Sequence, residues 1–419
     1  MLTDGYDIGL VAFAAPSLAK VWHIAKPAAF APAFSAGFVG ILFGSPIFGY
    51  VGDRFGRRAA IAIAAIWYGA FTLACAFATS LEMLIVLRFF AGFGIGGVLP
   101  NAIALNAEFA PARYRATMVI VMFTGVTFGG ALPGPVAAAL VPQYGWPILF
   151  VIGGVLPIVA AAIAFFVLPE SLKFLALRDR HSPAAARIAN RLAGTTVADA
   201  NTHFVVDVAE KRGSVSPLEL FRYGLAFVTP ILWLLFIINL MTFYFINQWI
   251  PLLFASIGLP PSTSALAVTV FQIGGTVGGL ILARMLDRFG FAAIALLFAV
   301  SCPIVAVIGA LAHAGTGLMI AVFFAGFALL GLQFGLNATA GVIYPTRFRS
   351  FGVGWALGIG RFGSIVGPLA GGAFIAAKLP VARIFAYMAI PLVVGTILAI
   401  VLVVVARNAT YANSNVVSA

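Results

Sequence analysis

The chain has 419 residues, 63% of them hydrophobic and only 9% charged, with a mean hydropathy of +1.11. A soluble domain carries about 25% charged residues and cannot hide this much apolar surface, so residence in a lipid bilayer is expected. The net charge of +12 does not call for a nucleic acid. If the odd-numbered connections face outside, eighteen of the 24 Lys and Arg fall in cytoplasmic segments and only Lys20, Lys26, Lys378 and Arg383 outside, the positive-inside pattern of a membrane protein with both termini in the cytoplasm.

The chain opens on Met-Leu-Thr-Asp-Gly-Tyr-Asp and then runs apolar from Ile8 to Leu18. Asp4 and Asp7 are three residues apart, so on a helix they share one face. Carboxylates opening onto a membrane segment usually face a polar cavity and serve ion or substrate movement. Beyond them, apolar runs alternate with short charged or Pro/Gly breaks, giving predicted spans near 1–22, 30–52, 59–79, 83–108, 116–140, 148–168, 225–254, 263–285, 292–313, 317–341, 351–375 and 382–405. The expected architecture is an all-α membrane protein of twelve transmembrane helices. Cys75 and Cys302 lie in different spans and the four histidines are isolated, so neither a disulfide framework nor a metal site is expected. No nucleophile and base set for an enzyme is apparent either.

Self-similarity divides the chain. Asp53-Arg54-Phe55-Gly56 recurs as Asp287-Arg288-Phe289-Gly290, Phe90-Ala91-Gly92-Phe93 as Phe324-Ala325-Gly326-Phe327, and Pro111-x-Arg113-x-Arg115 as Pro345-x-Arg347-x-Arg349, each at an offset of 234 residues. Three matches in one register define two six-span halves, and an even number of spans per half makes the repeats parallel. The expected domains are 1–168, a cytoplasmic connection over 169–224, 225–406, and a cytoplasmic tail over 407–419. Residue 1 corresponds to position 235, whereas the seventh span begins near Leu225. The first span is therefore about ten residues shorter than its counterpart, and the true start is expected upstream or removed.

Glycines spaced by four, such as Gly92 and Gly96, Gly274 and Gly278, Gly354 and Gly358, and Gly363 and Gly367, are expected to let helices approach closely. The strongest local motif is Gly49-x-x-x-Asp53-Arg54-x-Gly56-Arg57-Arg58. Gly49 permits close contact with a helix of the other half, Gly56 turns the chain, and Asp53 can cap a helix or pair with an arginine across the halves.

This motif resembles the cytoplasmic loop signature of the major facilitator superfamily, echoed at Asp287 and Arg288. The resemblance implies a latch that forms and breaks as two six-helix bundles rock, with Glu108 pairing with loop arginines such as Arg57, and Arg113, Arg115, Arg347 and Arg349 sharing the gate. A narrower likeness, carried by Asp-Gly-Tyr-Asp at 4–7, Leu-Pro-Asn-Ala-Ile-Ala-Leu at 99–105, Leu-Pro-Glu-Ser at 168–171 and the run from Tyr344 to Gly363, is to the aromatic acid:proton symporters. That family places the paired Asp in mid-helix, which this chain's short first span does not reproduce.

Arg361 stands about ten residues into the eleventh span, ~15 Å from its inner end. Its counterpart in the first half is Thr127, so the shared fold does not impose this charge. An unpaired guanidinium at that depth is costly, and pairing with Asp4 or Asp7 in the empty protein and with a substrate carboxylate in the loaded one would couple binding to protonation. Arg88, nearer the outer end of the fourth span, is a secondary candidate, able to snorkel or anchor. Tyr244, Gln248, Gln333 and Asn337 are expected in the substrate cavity, with Asn101, Asn106, Asn247, Trp249 and Gln272 as further polar groups in the spans. The expected function is proton-coupled import of an aromatic carboxylate, with the proton as coupling ion and no cofactor. Symport of a sugar or dicarboxylate and proton-driven drug export remain open, as does a sensor that binds without flux.

Overall fold

A computed structural model describes all residues except 112–114, 180, 200–201, 205–216, 223, 312–314, 345–348 and 418–419, and leaves the side chains of 115–117, 119–120, 261, 283–284, 286–287, 349–350 and 406–417 undescribed. Arg113 and Arg347, and the side chains of Arg115, Asp287 and Arg349, lie outside the described residues.

The first half is built from α1 (Leu2–Val21), α2 (Ala31–Phe55), α3 (Arg57–Cys75), α4 (Leu81–Phe109), α5 (Arg115–Ala131), α6 (Pro133–Tyr144) and α7 (Pro147–Val167). Two short helices follow, α8 (Leu172–Arg178) and α9 (Pro183–Ala193), in the polar connection. The second half holds α10 (Val228–Ser256), α11 (Pro261–Phe289), α12 (Ala292–Ile308), α13 (Thr316–Ile343), α14 (Arg349–Ala376) and α15 (Val381–Val417). The repeat extends to element ends: α2 and α11 stop at Phe55 and Phe289, and α4 and α13 at Phe109 and Ile343.

Among the described residues ten helical segments are long and apolar enough to cross a membrane, two fewer than the sequence reading counts. The remaining two are α12, an apolar helix of 17 residues, and α1, whose apolar pattern is interrupted by Asp4, Asp7 and Lys20. The fifth span is also broken, into α5 and α6, at Pro133. Proline has no N–H to continue the ladder, so the chain bends there.

Each half closes on itself through the same pairs: α2 on α4 and α3 on α4 and α7 in the first, α11 on α13 and α12 on α13 and α15 in the second. Glycine makes the closest seams. A Cβ at Gly44 would sit 1.9 Å from the Phe93 carbonyl oxygen, one at Gly92 2.0 Å from that of Gly37, and ones at Gly274 and Gly278 each 2.1 Å from carbonyls of α13. Backbone cannot yield as a flexible side chain does, and overpacking such a contact costs about 1–3 kcal/mol. Gly44→Val is therefore expected to lower the melting temperature of the detergent-solubilised protein by several degrees, while Gly354→Ala, where a Cβ meets nothing within 4 Å, leaves it unchanged. Gly354 and Gly358 thus do not serve as a helix seam; they lie on the wall of a central cavity.

Candidate functional site

Between the halves is a cavity of 470 Å³, a size suited to a small organic molecule. Most of its wall is apolar, including Ile41, Ile95, Phe123, Leu240, Phe243 and Phe334. The polar exceptions are few. Asp4 comes from α1, Ser45 from α2, Thr127 from α5, Tyr244 and Asn247 from α10, Gln272 from α11, Gln333 and Asn337 from α13, and Arg361 from α14. Of the expected substrate residues, Arg361, Tyr244, Gln333 and Asn337 therefore converge here. The Tyr244 hydroxyl meets the Arg361 guanidinium, and its ring packs against Phe38 with centroids 4.2 Å apart. Asn239 donates to Gln333 Oε1 at 3.0 Å, and Gln333 Nε2 donates to Asn337 Oδ1 at 3.2 Å, so one amide orients the next.

Gln248 is a correction. It does not line this cavity; its Nε2 donates to the Ile8 carbonyl at 3.0 Å and ties α10 to α1. Trp249, Asn101 and Asn106 are similarly committed, donating to the carbonyls of Pro368, of Phe48 and Gly97, and of Met118.

The two aspartates separate in role. Asp4 lines the cavity, is 4% exposed, and accepts from the Tyr68 hydroxyl at 2.8 Å; its Oδ2 is 4.0 Å from the Met1 amino group. Asp7 is 0% exposed and lies behind it, accepting from Thr72 at 2.6 Å and from Arg88 Nη1 at 3.0 Å, with Nη2 2.8 Å from its second oxygen. Arg88 is thus neither snorkelling nor near water: at 3% exposure it is the counter-ion of Asp7, and it also donates to the Asp7 carbonyl. This corrects the pairing expected for Arg361, which makes no ion pair among the described residues. Gly37 of α2 packs beside the Arg88 guanidinium. Tyr68 and Thr72 had no role in the sequence reading, although their spacing of four residues on α3 matches the spacing of three between the acids on α1.

At the arginine-rich end the loop after α2 forms a compact cluster. Arg57 lies 3.4 Å from Glu108 and 3.6 Å from Asp53. Glu170 Oε1 accepts from the backbone N–H groups of Arg57, Arg58 and Ser171 at 2.9, 3.2 and 2.8 Å, capping the start of α3, and the Ser171 hydroxyl donates to Glu108. Gly56 turns the chain at φ 101°, and a Cβ there would collide with Glu170. Arg54 donates to Tyr50 at 2.8 Å, Arg58 stacks over Phe165, and Arg288 over Phe289. Glu170 carried no role in the sequence reading; the missing signal was that α3 has no capping side chain of its own.

The expected contact across the halves is not made here. A Cβ at Gly49 meets nothing within 4 Å, and Asp53, 77% exposed, pairs only within its own loop among the described residues. Among the described residues the side-chain hydrogen bonds that join the halves lie at mid-depth or toward the opposite end: Ser35 to the Ile365 carbonyl at 2.9 Å, Thr269 to that of Ala131 at 2.9 Å, Thr276 to Thr127 at 3.0 Å, and Gln248 to the Ile8 carbonyl. Among the described residues, the ion pairs and hydrogen bonds of Arg54 and Arg57 stay within the first half and the connection that follows it, which leaves this part of the latch on one half only.

Two repeated helical bundles enclosing a part-polar cavity are the architecture of an alternating-access transporter. The chain belongs to the Major Facilitator Superfamily, whose model matches residues 1–339 and again 232–416. It is a multi-pass membrane transporter and not an enzyme. Among its relatives it is 37% identical to a gallate transporter of Pseudomonas putida, covering 93% of this chain and 87% of that one. It is 32% identical to the 4-hydroxybenzoate transporter PcaK of Acinetobacter baylyi, covering 93% and 86%. The fold is similar to the crystal structure of a D-xylose-proton symporter, with a TM-score of 0.70 and 17% identity over 93% of this chain and 94% of that one.

Proposed function

We propose that this chain imports an aromatic carboxylate together with protons, as a cell-membrane protein with both termini and the arginine-rich end in the cytoplasm. The observation that carries the reading is that Arg361 and Asp4 line one apolar cavity from opposite halves. The relatives named for gallate and 4-hydroxybenzoate supply the substrate class. Arg361, supported by Tyr244, holds the carboxylate. Bound substrate and ionised Asp4 are like charges in a cavity of low dielectric, and a proton on Asp4 removes their repulsion. Loading therefore favours uptake of a proton with the acid.

In this orientation the described state opens inward. Asp53 and Gly49 engage the second half when the halves rock and the cytoplasmic side closes, with residues 1–168 and 225–406 as the moving bodies. Glu108, which links Arg57 to Ser171, holds the latch in shape. Glu108→Gln keeps the Ser171 contact but loses the charge, so turnover is expected to fall about tenfold with expression retained, a loss of about 1.4 kcal/mol. Wild-type turnover in Glu108→Gln would remove it from the latch.

The deciding experiment is uptake of labelled hydroxybenzoates by cells expressing the chain, with and without a protonophore. Uptake that collapses with the protonophore is expected. Uptake that persists would refute proton coupling. No uptake, with the protein shown in the membrane, would refute the aromatic substrate in favour of another metabolite.

A further inference from the structure

Two side-chain amides on the cavity wall have no task in the mechanism above. Asn247 of α10 and Gln272 of α11 are 2% and 7% exposed and both line the cavity. Neither side chain forms a hydrogen bond among the described residues, and Gln272 Oε1 is buried without a partner. The neighbouring cavity amide Gln333 is by contrast bonded on both sides, accepting from Asn239 and donating to Asn337. The opposite half clears space for Gln272: a Cβ on Gly130 would come 2.4 Å from its Nε2, while Gly9 lies beside Asn247 Oδ1 at ordinary contact distance. Gln272, with a buried unpaired oxygen and glycine beside its nitrogen, is a binding group waiting for its partner, and Asn247 stands with it on the same wall.

Its position says which part of a ligand it meets. Tyr244 touches Arg361, and Asn247 stands one turn further along α10, about 4.5 Å beyond it on the side where the halves are joined. A carboxylate on Arg361 therefore directs the ring between Phe243 and the two amides. An unsubstituted ring would bury both amides against carbon, whereas a phenolic hydroxyl both donates and accepts and satisfies them. We propose that Asn247 and Gln272 form the hydroxyl-reading end of the cavity and make the transporter selective for ring-hydroxylated aromatic acids. This rests on the aromatic carboxylate reading above.

The test is competition against uptake of labelled 4-hydroxybenzoate by benzoate and by mono-, di- and trihydroxybenzoates, in wild type and in Asn247→Leu and Gln272→Met. Hydroxylated acids are expected to compete at least about tenfold better than benzoate in wild type, because a site built to bond a hydroxyl rejects the analogue lacking it. Both variants should narrow that ratio. Benzoate competing equally in wild type, a comparison that needs no variant, would overturn the inference and leave aromatic acid transport standing, as would an unchanged ratio in both variants shown to reach the membrane. Absence of uptake of every acid in the panel would instead overturn both.

Discussion

Arg88→Met is expected to abolish uptake and to destabilise the protein more than any other single substitution in the first half. The guanidinium and Asp7 are 3% and 0% exposed and 2.8 Å apart, so removing one leaves the other as an uncompensated charge. Breaking a buried pair in this way costs about 3–5 kcal/mol. Thr72 would still donate to Asp7, but one hydroxyl does not replace a cation. Combining Arg88→Met with Asp7→Asn removes both charges and should recover much of the melting temperature without recovering transport. That split separates a structural ion pair from one that transport needs. Wild-type melting in Arg88→Met alone would contradict the pair, and wild-type uptake in the double variant would exclude it from the transport cycle.

Arg361→Gln should reduce uptake at least a hundredfold while leaving the melting temperature near that of wild type. No ion pair to Arg361 exists among the described residues to be broken, so the loss falls on substrate rather than on fold. A charge-assisted, bidentate contact to a carboxylate is about twice as strong as a neutral one, and an amide cannot reproduce it. Tyr244→Phe removes the hydroxyl that meets the guanidinium and should cost about two- to tenfold, in keeping with a single hydrogen bond of 0.5–1.5 kcal/mol. Retained affinity for the acid in Arg361→Gln, measured by quenching of the protein's tryptophan fluorescence, would contradict its assignment.

The bundle was legible because membrane segments declare themselves locally. Long apolar runs, arginine asymmetry and a repeat in constant register all lie along the chain, and the register of 234 reaches the ends of α2 and α4. Asp4, Arg361, Gln333 and Asn337 were legible for a related reason: polar groups inside apolar helices are costly, so they stand out. Which of them pair is decided by rotation and depth between helices, which no single helix records. Arg88 was therefore placed at the periphery when it faces Asp7, and Gln248 in the cavity when it binds the Ile8 carbonyl. Thr72 was missed because a threonine hydroxyl in an apolar helix bonds its own backbone cheaply, and Tyr68 because a tyrosine there packs through its ring; neither carries a signal until a partner is seen. Gly354 and Gly358 show the converse. Their spacing is that of a helix seam, yet in this state they face open space, and only the conformation distinguishes the two.

The most direct test of the central claim, that a cavity shared by Arg361 and Asp4 moves an acid and a proton together, is pH recorded inside proteoliposomes loaded with a pH-sensitive dye while 4-hydroxybenzoate is added outside without any imposed proton gradient. Substrate-driven acidification of the lumen by wild type, lost in Asp4→Asn, is the predicted result. Accumulation of the labelled acid with no change in lumenal pH would contradict the account.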